Sequence, residues 1–387
     1  KRQDYKKLNM GNKIKLGLIG GGLSSFIGIV HRVAAYMGEN YVLTGGVFDI
    51  DFDKGNQFAV QLDLDAARSY PSLEVFIEKE LALAEDERIQ VVSILTPNFL
   101  HFEMARKLVS AGFNVICEKP ITVSADEARS LEKLVQEKGV VFGLSHTYTG
   151  YPMIRQMKSM IAQNKIGRIQ KVDAQYYQGW INPAIHQEEE RKKVWRLNPK
   201  MSGMSCCMGD IGVHAFNLIE YTTGLEIDKV LADLHTLYPE NELDVDGTTL
   251  LRMNNGSRGV ITASQIATGE ENNLSIAVYG DQGGLKWEQE HPMYLKHLIE
   301  GAPSQIYKPG NPYNSEFALE STKIAPGHPE GLFDAMGNIY NGVAAAIQGR
   351  PHSSGAFPTV HDGVRGMSFI EAVLSSSSQG QVWVKVS

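Results

Sequence analysis

The chain is predicted to be an α/β protein in two parts: a Rossmann-type doubly wound parallel sheet, followed by an α+β domain built on a large, mainly antiparallel open sheet. Three observations predict it. Short β-rich runs alternate with longer amphipathic ones from Lys13 to about His146, a glycine-rich turn closes the first run, and after Tyr148 the rhythm gives way to successive strands separated by turn signals. A length of 387 residues exceeds what one core usually organises, so two domains are expected. Their boundaries are set at 13–147 for a dinucleotide-binding domain and 148–387 for a substrate-binding and oligomerisation domain, after a flexible extension over 1–12.

In the first part the order is IKLGLIG, a helix through Val30 to Met37, YVLTGGVFD, a helix near Lys54 to Leu62, VVSIL, a helix near Glu103 to Val109, FNVICE, a helix near Ala125 to Glu137, and VVFGLSH. Runs such as VVSIL are apolar without alternation, as expected when helices cover both faces of a parallel sheet. The second part opens with a helix over Met153 to Gln163, the strand-like KVDAQYYQGW, a polar loop and a helix from about Asp210 to Tyr221. Strand-like runs then follow from Lys229 to about Tyr307, with turns at NNGS and GDQGG, and read as hairpins. Helices from about Glu330 to Ile347 and from Asp362 to Leu374 end the pattern, and Ser375 to Ser378 reads as a solvated loop.

The formal charge of −7 and the lack of a long Lys/Arg run beyond the first residues exclude a nucleic-acid partner. No leader and no membrane span is expected, because no apolar run reaches 18 residues. The three cysteines, Cys117, Cys206 and Cys207, include an adjacent pair of poor geometry for a disulfide, which fits a reducing, cytoplasmic setting.

Gly17, Gly20, Gly21 and Gly22 close the first strand, and Leu23, Ser24 and Ser25 lead into the helix, giving G-x-G-x-x-S where a third glycine is usual. Such a turn lets backbone N–H groups approach a pyrophosphate at a helix N-terminus, although it also occurs without a ligand. Asp49 ends the second strand 27 residues beyond Gly22, against roughly 20 for the acid that binds the adenosine ribose; the long first helix accounts for the excess. A carboxylate there, followed by Ile50, favours NAD, with NADP as the alternative because Arg32 and Lys54 are close in sequence. Ligands of a doubly wound sheet bind beyond the carboxyl ends of its strands. Two loops fall there: Thr96-Pro97-Asn98 with His101, and Glu118-Lys119-Pro120. A lysine held at such an edge can lend a proton or hydrogen bond to a reacting hydroxyl, and Pro120 would fix the backbone.

The order G-x-G-G-G, Asp49, T-P-N-x-x-H, E-K-P and then G-D-I-G-V-H resembles the glucose-fructose oxidoreductase / inositol dehydrogenase (Gfo/Idh/MocA) family over nearly the whole chain. The stretches FIGIVHRVAA, SHTYTGYP, YYQGW, VWRLNP and APGHPEG look like the branch acting on sugars, anhydrosugars and inositols. The resemblance implies Lys119 and His214 as the catalytic pair with Asp210 beside them, and dimers or tetramers formed through the second sheet. It puts Tyr148, Trp180, Trp195, Arg196, Lys200 and His328 around the cleft, where polar groups and an aromatic wall hold a sugar.

Asp210 and His214 lie four positions apart on a predicted helix and so share a face, from which a carboxylate can orient an imidazole that accepts a hydroxyl proton. A D-x-x-x-H metal pair is the rival reading, but hydride transfer needs no metal, so none is expected. Cys206 and Cys207 depart from the family's small residues before this helix. The expected reaction is oxidation of a secondary hydroxyl of a sugar, glycoside or cyclitol. An NAD-dependent glycosidase working by transient oxidation and elimination, and a non-catalytic dinucleotide sensor, are the alternatives.

Overall fold

The computed structural model of the chain describes residues 13–23 and 25–387; the extension expected over 1–12 and Ser24 of the glycine-rich turn lie outside the described residues. Five parallel strands form the first sheet: β1 (Ile14–Gly20), β2 (Tyr41–Val47), β3 (Val91–Leu95), β4 (Asn114–Cys117) and β5 (Phe142–Leu144). Their spatial order is β2-β1-β3-β4-β5, and every residue of β3 is buried. That order reverses direction next to β1, which leaves a crevice beyond the carboxyl ends of β1 and β3. Helices α1 (Phe26–Met37), α2 (Phe52–Gln61), α3 (Leu73–Leu81), α4 (His101–Ser110) and α5 (Ala125–Lys138) connect the strands. Ser25, Ser72 and Ser124 cap three of them by accepting backbone N–H groups of the first turn.

Helix α3 is absent from the sequence reading because its buried face is short and carries a charge: Leu73, Phe76 and Glu80 point inward. Glu80 is fully buried and accepts from the Arg68 guanidinium (2.8 Å to each oxygen), the Tyr70 hydroxyl (2.5 Å) and the Ile89 amide (2.8 Å). Removing one partner of such a pair leaves an uncompensated buried charge, so Glu80→Ala is expected to cost about 3–5 kcal/mol. Urea unfolding monitored by fluorescence checks it.

The second sheet has nine strands: β6 (Ile169–Tyr177), β7 (Ile227–His235), β8 (Asp246–Met253), β9 (Arg258–Ser264), β10 (Asn273–Gly280), β11 (Gly283–Glu288), β12 (Leu295–Ile299), β13 (Ala302–Tyr307) and β14 (Val384–Lys385). Their order is β13-β12-β11-β10-β6-β9-β8-β7-β14. All neighbours are antiparallel except β6 and β9, since β6 arrives from an earlier part of the chain and inserts beside β9 in parallel register. Helices α6 (Pro152–Ala162), α7 (Val213–Thr223) and α9 (Val360–Ser378) pack against this sheet, and the Phe216 and Phe369 rings stack at 4.6 Å between the last two. Along β8 buried and exposed residues alternate, so Thr248 and Leu250 look outward.

The serine run at 375–378 is not a solvated loop. It forms the last turn of α9, where buried Ser376 accepts the Ala232 amide (2.8 Å) and donates to the Val382 carbonyl (2.5 Å), tying the helix to β7. Helix α8 (Leu332–Ile347) crosses back to pack on α1 and the first sheet. Its Tyr340 is buried, accepts the Tyr41 hydroxyl on its carbonyl (2.7 Å), and meets His31 Nδ1 and Ser93 Oγ with its own hydroxyl (2.7 Å each).

Candidate active site

At the glycine-rich turn Gly20 and Gly21 take left-handed φ values of 81° and 74°. A Cβ on Gly20 would stand 2.9 Å from the Leu95 carbonyl oxygen, and one on Gly22 2.7 Å from that of Phe48. The close approach of helix to turn occurs at Gly28, where a Cβ would fall 2.3 Å from the Gly21 carbonyl oxygen. The third glycine of the motif is therefore displaced three residues from Ser25, which instead caps α1 by accepting the Gly28 amide (3.1 Å). Arg32 donates to the Gly21 carbonyl (2.7 Å) and lies over the Phe58 ring, bracing the turn from behind. Asp49 follows β2 beside Gly22, and Ile50 is fully exposed. Leu23 is largely exposed at the tip of the turn.

A cavity of about 770 Å³ opens next to this turn, within the range of small-molecule sites. Ser25 and Phe26 line one side, Thr96, Pro97 and Asn98 the loop after β3, and Glu118 and Lys119 the loop after β4. Tyr148, Trp180, Trp195, Arg196, Asp210 and His214 line it from the second part of the chain. Lys119 precedes a cis bond to Pro120 and reaches across the two sheets. Its Nζ donates to Asp210 twice, to Oδ1 and to the backbone carbonyl, both at 2.7 Å. The second carboxylate oxygen of Asp210 accepts from Gln265 Nε2 (2.9 Å) and pairs with Arg196 Nε (3.0 Å). Burial opposes ionisation of Asp210, yet the charges of Lys119 and Arg196 hold its carboxyl at about 2. Arg196 lies 4.6 Å from the Trp195 ring centroid and 5.6 Å from that of Trp180, so the aromatic wall also fixes a cation.

Asp210 does not orient His214 as the four-residue spacing predicts. It sits in a π-helical turn, Met208–Gly212, that runs directly into α7. The wider turn alters the angle between the two side chains, and the carboxylate is taken up by Lys119, Arg196 and Gln265. His214 Nδ1 instead faces His146 Nδ1 at 3.3 Å, and the Tyr148 ring meets the His214 ring edge-on at 4.8 Å. Tyr148 and Tyr176 share a hydrogen bond (2.5 Å), and Tyr176 donates to Asn272 Oδ1 (2.6 Å). Burial, then the Lys119 cation, lowers both histidines: His146 to about 3 and His214 well below its ordinary value. Both causes disfavour the charged form of His214.

Three expected contacts, at His101, His328 and Lys200, lie outside the cavity's lining. His101 is fully buried behind the wall, its ring nitrogens on the Pro120 (2.7 Å) and Thr96 (2.9 Å) carbonyls, so it pins the two loops together rather than facing the cavity. His328 is exposed in a turn, its ring on the Ala325 carbonyl (3.0 Å), and is not among the cavity's lining residues; Lys200 is likewise exposed. Glu118 accepts from His31 Nε2 (2.8 Å) and the Ser145 hydroxyl (2.6 Å); against burial these contacts hold it at about 2. The cysteines near Met208 are buried, and the Cys206 and Met208 amides both donate to Asp244, which anchors the π-helical turn.

These shifts set the acid response. Between the ordinary value of 6.5 and about 3 for His146, and from 4.5 and 3.8 down to about 2 for Glu118 and Asp210, the unfolded chain binds more protons than the folded one. The stability that these three groups contribute is therefore expected to fall with pH from about 6.5 downward and faster below about 4.5, while the raised carboxyls of Asp244, Glu220 and Glu330 act in the opposite sense. Urea midpoints measured across that window check the slope.

Residues 14–146 match the model of an oxidoreductase family with an NAD-binding Rossmann fold, and residues 154–286 match that of the GFO/IDH/MocA C-terminal domain. The chain is 30% identical over 381 residues to an uncharacterised oxidoreductase, YfiI, of Bacillus subtilis (strain 168), covering 96% of each. The chain belongs to the Gfo/Idh/MocA oxidoreductase family. An inositol dehydrogenase homologue of Azotobacter vinelandii solved with NAD+ superposes with a TM-score of 0.89 at 34% identity, 97% of each chain being covered. An inositol dehydrogenase homologue of Azotobacter vinelandii solved with NADH and myo-inositol gives a TM-score of 0.87 at 32% identity, covering 97% of this chain and 98% of that one. Levoglucosan dehydrogenase of Pseudarthrobacter phenanthrenivorans (strain DSM 18606 / JCM 16027 / LMG 23796 / Sphe3) is 26% identical over 408 residues, covering 96% of this chain and 98% of that one.

This Gfo/Idh/MocA member is thus an NAD-binding oxidoreductase with the two sheets that its sequence predicts. The turn fits the dinucleotide, since side chains at Gly20, Gly22 or Gly28 would strike the Leu95, Phe48 or Gly21 carbonyls and force the tight turn and the close helix apart, the shape that lets backbone amides meet a pyrophosphate. No helix of the described residues is long and apolar enough to cross a membrane. No cluster of three or more His, Cys, Asp or Glu suited to a metal occurs among them.

Proposed function

We propose that this Gfo/Idh/MocA oxidoreductase oxidises a secondary hydroxyl of a sugar, glycoside or cyclitol, with residues 13–147 holding the cofactor and 148–387 supplying most of the substrate pocket. The observation that carries it is the Lys119–Asp210 contact across the two sheets, within a cavity that His214 also lines. NAD held at the glycine-rich turn by Gly20, Gly22 and Asp49 would supply the hydride acceptor for the carbon that bears the hydroxyl. His214, neutral in its buried setting, takes the hydroxyl proton. Lys119 donates to the same oxygen, and Asp210 keeps the ammonium in place. Trp180, Trp195, Gln178 and Asn272 offer the aromatic and polar lining that a polyol needs. Glu118, Thr96, Pro97 and Asn98, which line the same cavity, would flank the cofactor's reactive half.

Asp49 beside Gly22, with its uncharged neighbour Ile50, favours NAD over NADP, and Arg32 is already engaged on Gly21. The outward face of the second sheet supports assembly into a dimer or tetramer, which light scattering on the purified protein would count. The experiment that tests the reaction is a panel of monosaccharides, glycosides, anhydrosugars and inositols with NAD and NADP, read by absorbance of the reduced nicotinamide. Reduced cofactor in proportion to substrate consumed is expected. Release of an aglycone with no net reduction would replace this reading with a glycosidase, and tight NAD binding with no turnover on any polyol would replace it with a sensor.

A further inference from the structure

We propose that His146 is the positioning residue for His214: it accepts the Nδ1–H of His214 and so fixes the tautomer whose bare Nε2 serves the cavity. The inference rests on the reading of His214 as the base. Two imidazole nitrogens 3.3 Å apart must hold one proton between them, because two bare lone pairs repel and two N–H groups collide. Every other charged or titratable neighbour is committed. Asp210 is held by Lys119, Arg196 and Gln265, Glu118 by His31 and Ser145, and Tyr148 and Tyr176 by each other and Asn272. Among the described residues His146 alone meets His214 Nδ1, and Nε2 has no protein partner.

When Nε2 takes the substrate proton, the imidazolium donates from Nδ1 into a lone pair already aimed at it, so no ring turns and no second proton moves. A neutral acceptor orients the base as a carboxylate would, but without a carboxylate's pull on its basicity. Burial and the Lys119 cation act in the same direction, against the charged form of His214.

Nitrogen-15 spectra of the histidine-labelled full chain test the tautomer directly. A protonated Nδ1 and bare Nε2 on His214 are expected, and a bare Nδ1 would overturn the proposal. In steady-state kinetics on whichever polyol the panel identifies, His146→Leu should lower kcat about 10- to 100-fold, as loss of an orienting partner does elsewhere. His146→Gln, which keeps an acceptor, should restore much of it. His146→Asp should move the acidic limb of the kcat profile upward by about 1–3 pH units. Unchanged kcat and an unmoved limb in both His146→Leu and His146→Asp would sink the role of His146 alone, provided His214→Asn is inactive. Full activity in His214→Asn would remove the base itself, and this inference with it.

Discussion

Replacing Lys119 by alanine is expected to lower kcat by about 10²- to 10⁴-fold, the usual contribution of a positioned proton donor or acceptor, while NAD binding is nearly kept. The ammonium is part-buried and makes two contacts at 2.7 Å to one residue of the π-helical turn Met208–Gly212, so its position is set by Asp210 before any substrate arrives. The glycine-rich turn, Ser25 and Asp49 do not touch it. The variant leaves Asp210 with Arg196 and Gln265, so the carboxylate keeps partners and the fold survives. A second effect follows from the same charge. Lys119 depresses both His146 and His214, and its removal should raise their pKa and shift the acidic limb of any residual activity to higher pH. Kinetics over pH, with cofactor affinity by fluorescence titration, check both; full turnover in Lys119→Ala would end the assignment.

His214→Asn is expected to cost kcat a similar factor, about 10²- to 10⁴-fold, by a different route. Here the proton acceptor is lost while Lys119 keeps its contacts with Asp210. The ring is buried against Tyr148 and Tyr176, and asparagine fills part of that space, so the loss should be in chemistry more than in folding. Added imidazole should restore part of the rate if the vacated space admits it, and a solvent-isotope effect should change with it. An Asn variant as fast as the parent would leave the cavity without its base.

Much of this site is legible in the sequence because the motifs are short and their residues act where they stand. The glycine-rich turn, Asp49, Glu118-Lys119 and the Asp210 to His214 stretch all mark their positions by local pattern. What binds those residues in place is not local. His31 meets Glu118 from 87 residues away, Gln265 reaches Asp210 from 55, and His146 reaches His214 from 68. Spacing alone also misassigns partners where the helix departs from α geometry, as at Met208–Gly212, and the four-residue rule then joins Asp210 to the wrong side chain. The displaced glycine is a milder case: Ser25 occupies the expected position, but the close contact falls at Gly28, one helical turn later. The exposed His328 shows the converse, a motif-rich stretch whose polar ring has only its own turn to bond.

Helix α8 bears on how this enzyme could be taken apart or recombined. One face of the nucleotide lobe is roofed by a segment encoded some two hundred residues downstream, with Tyr340 plugged among Tyr41, His31 and Ser93. A protein cut at residue 147 would bare that apolar floor to water and lose the brace on His31, and through it on Glu118. Chimeras that swap cofactor lobes between relatives should therefore carry Leu332–Ile347 along with the graft, so that the unit of exchange is discontinuous in the gene although continuous in space.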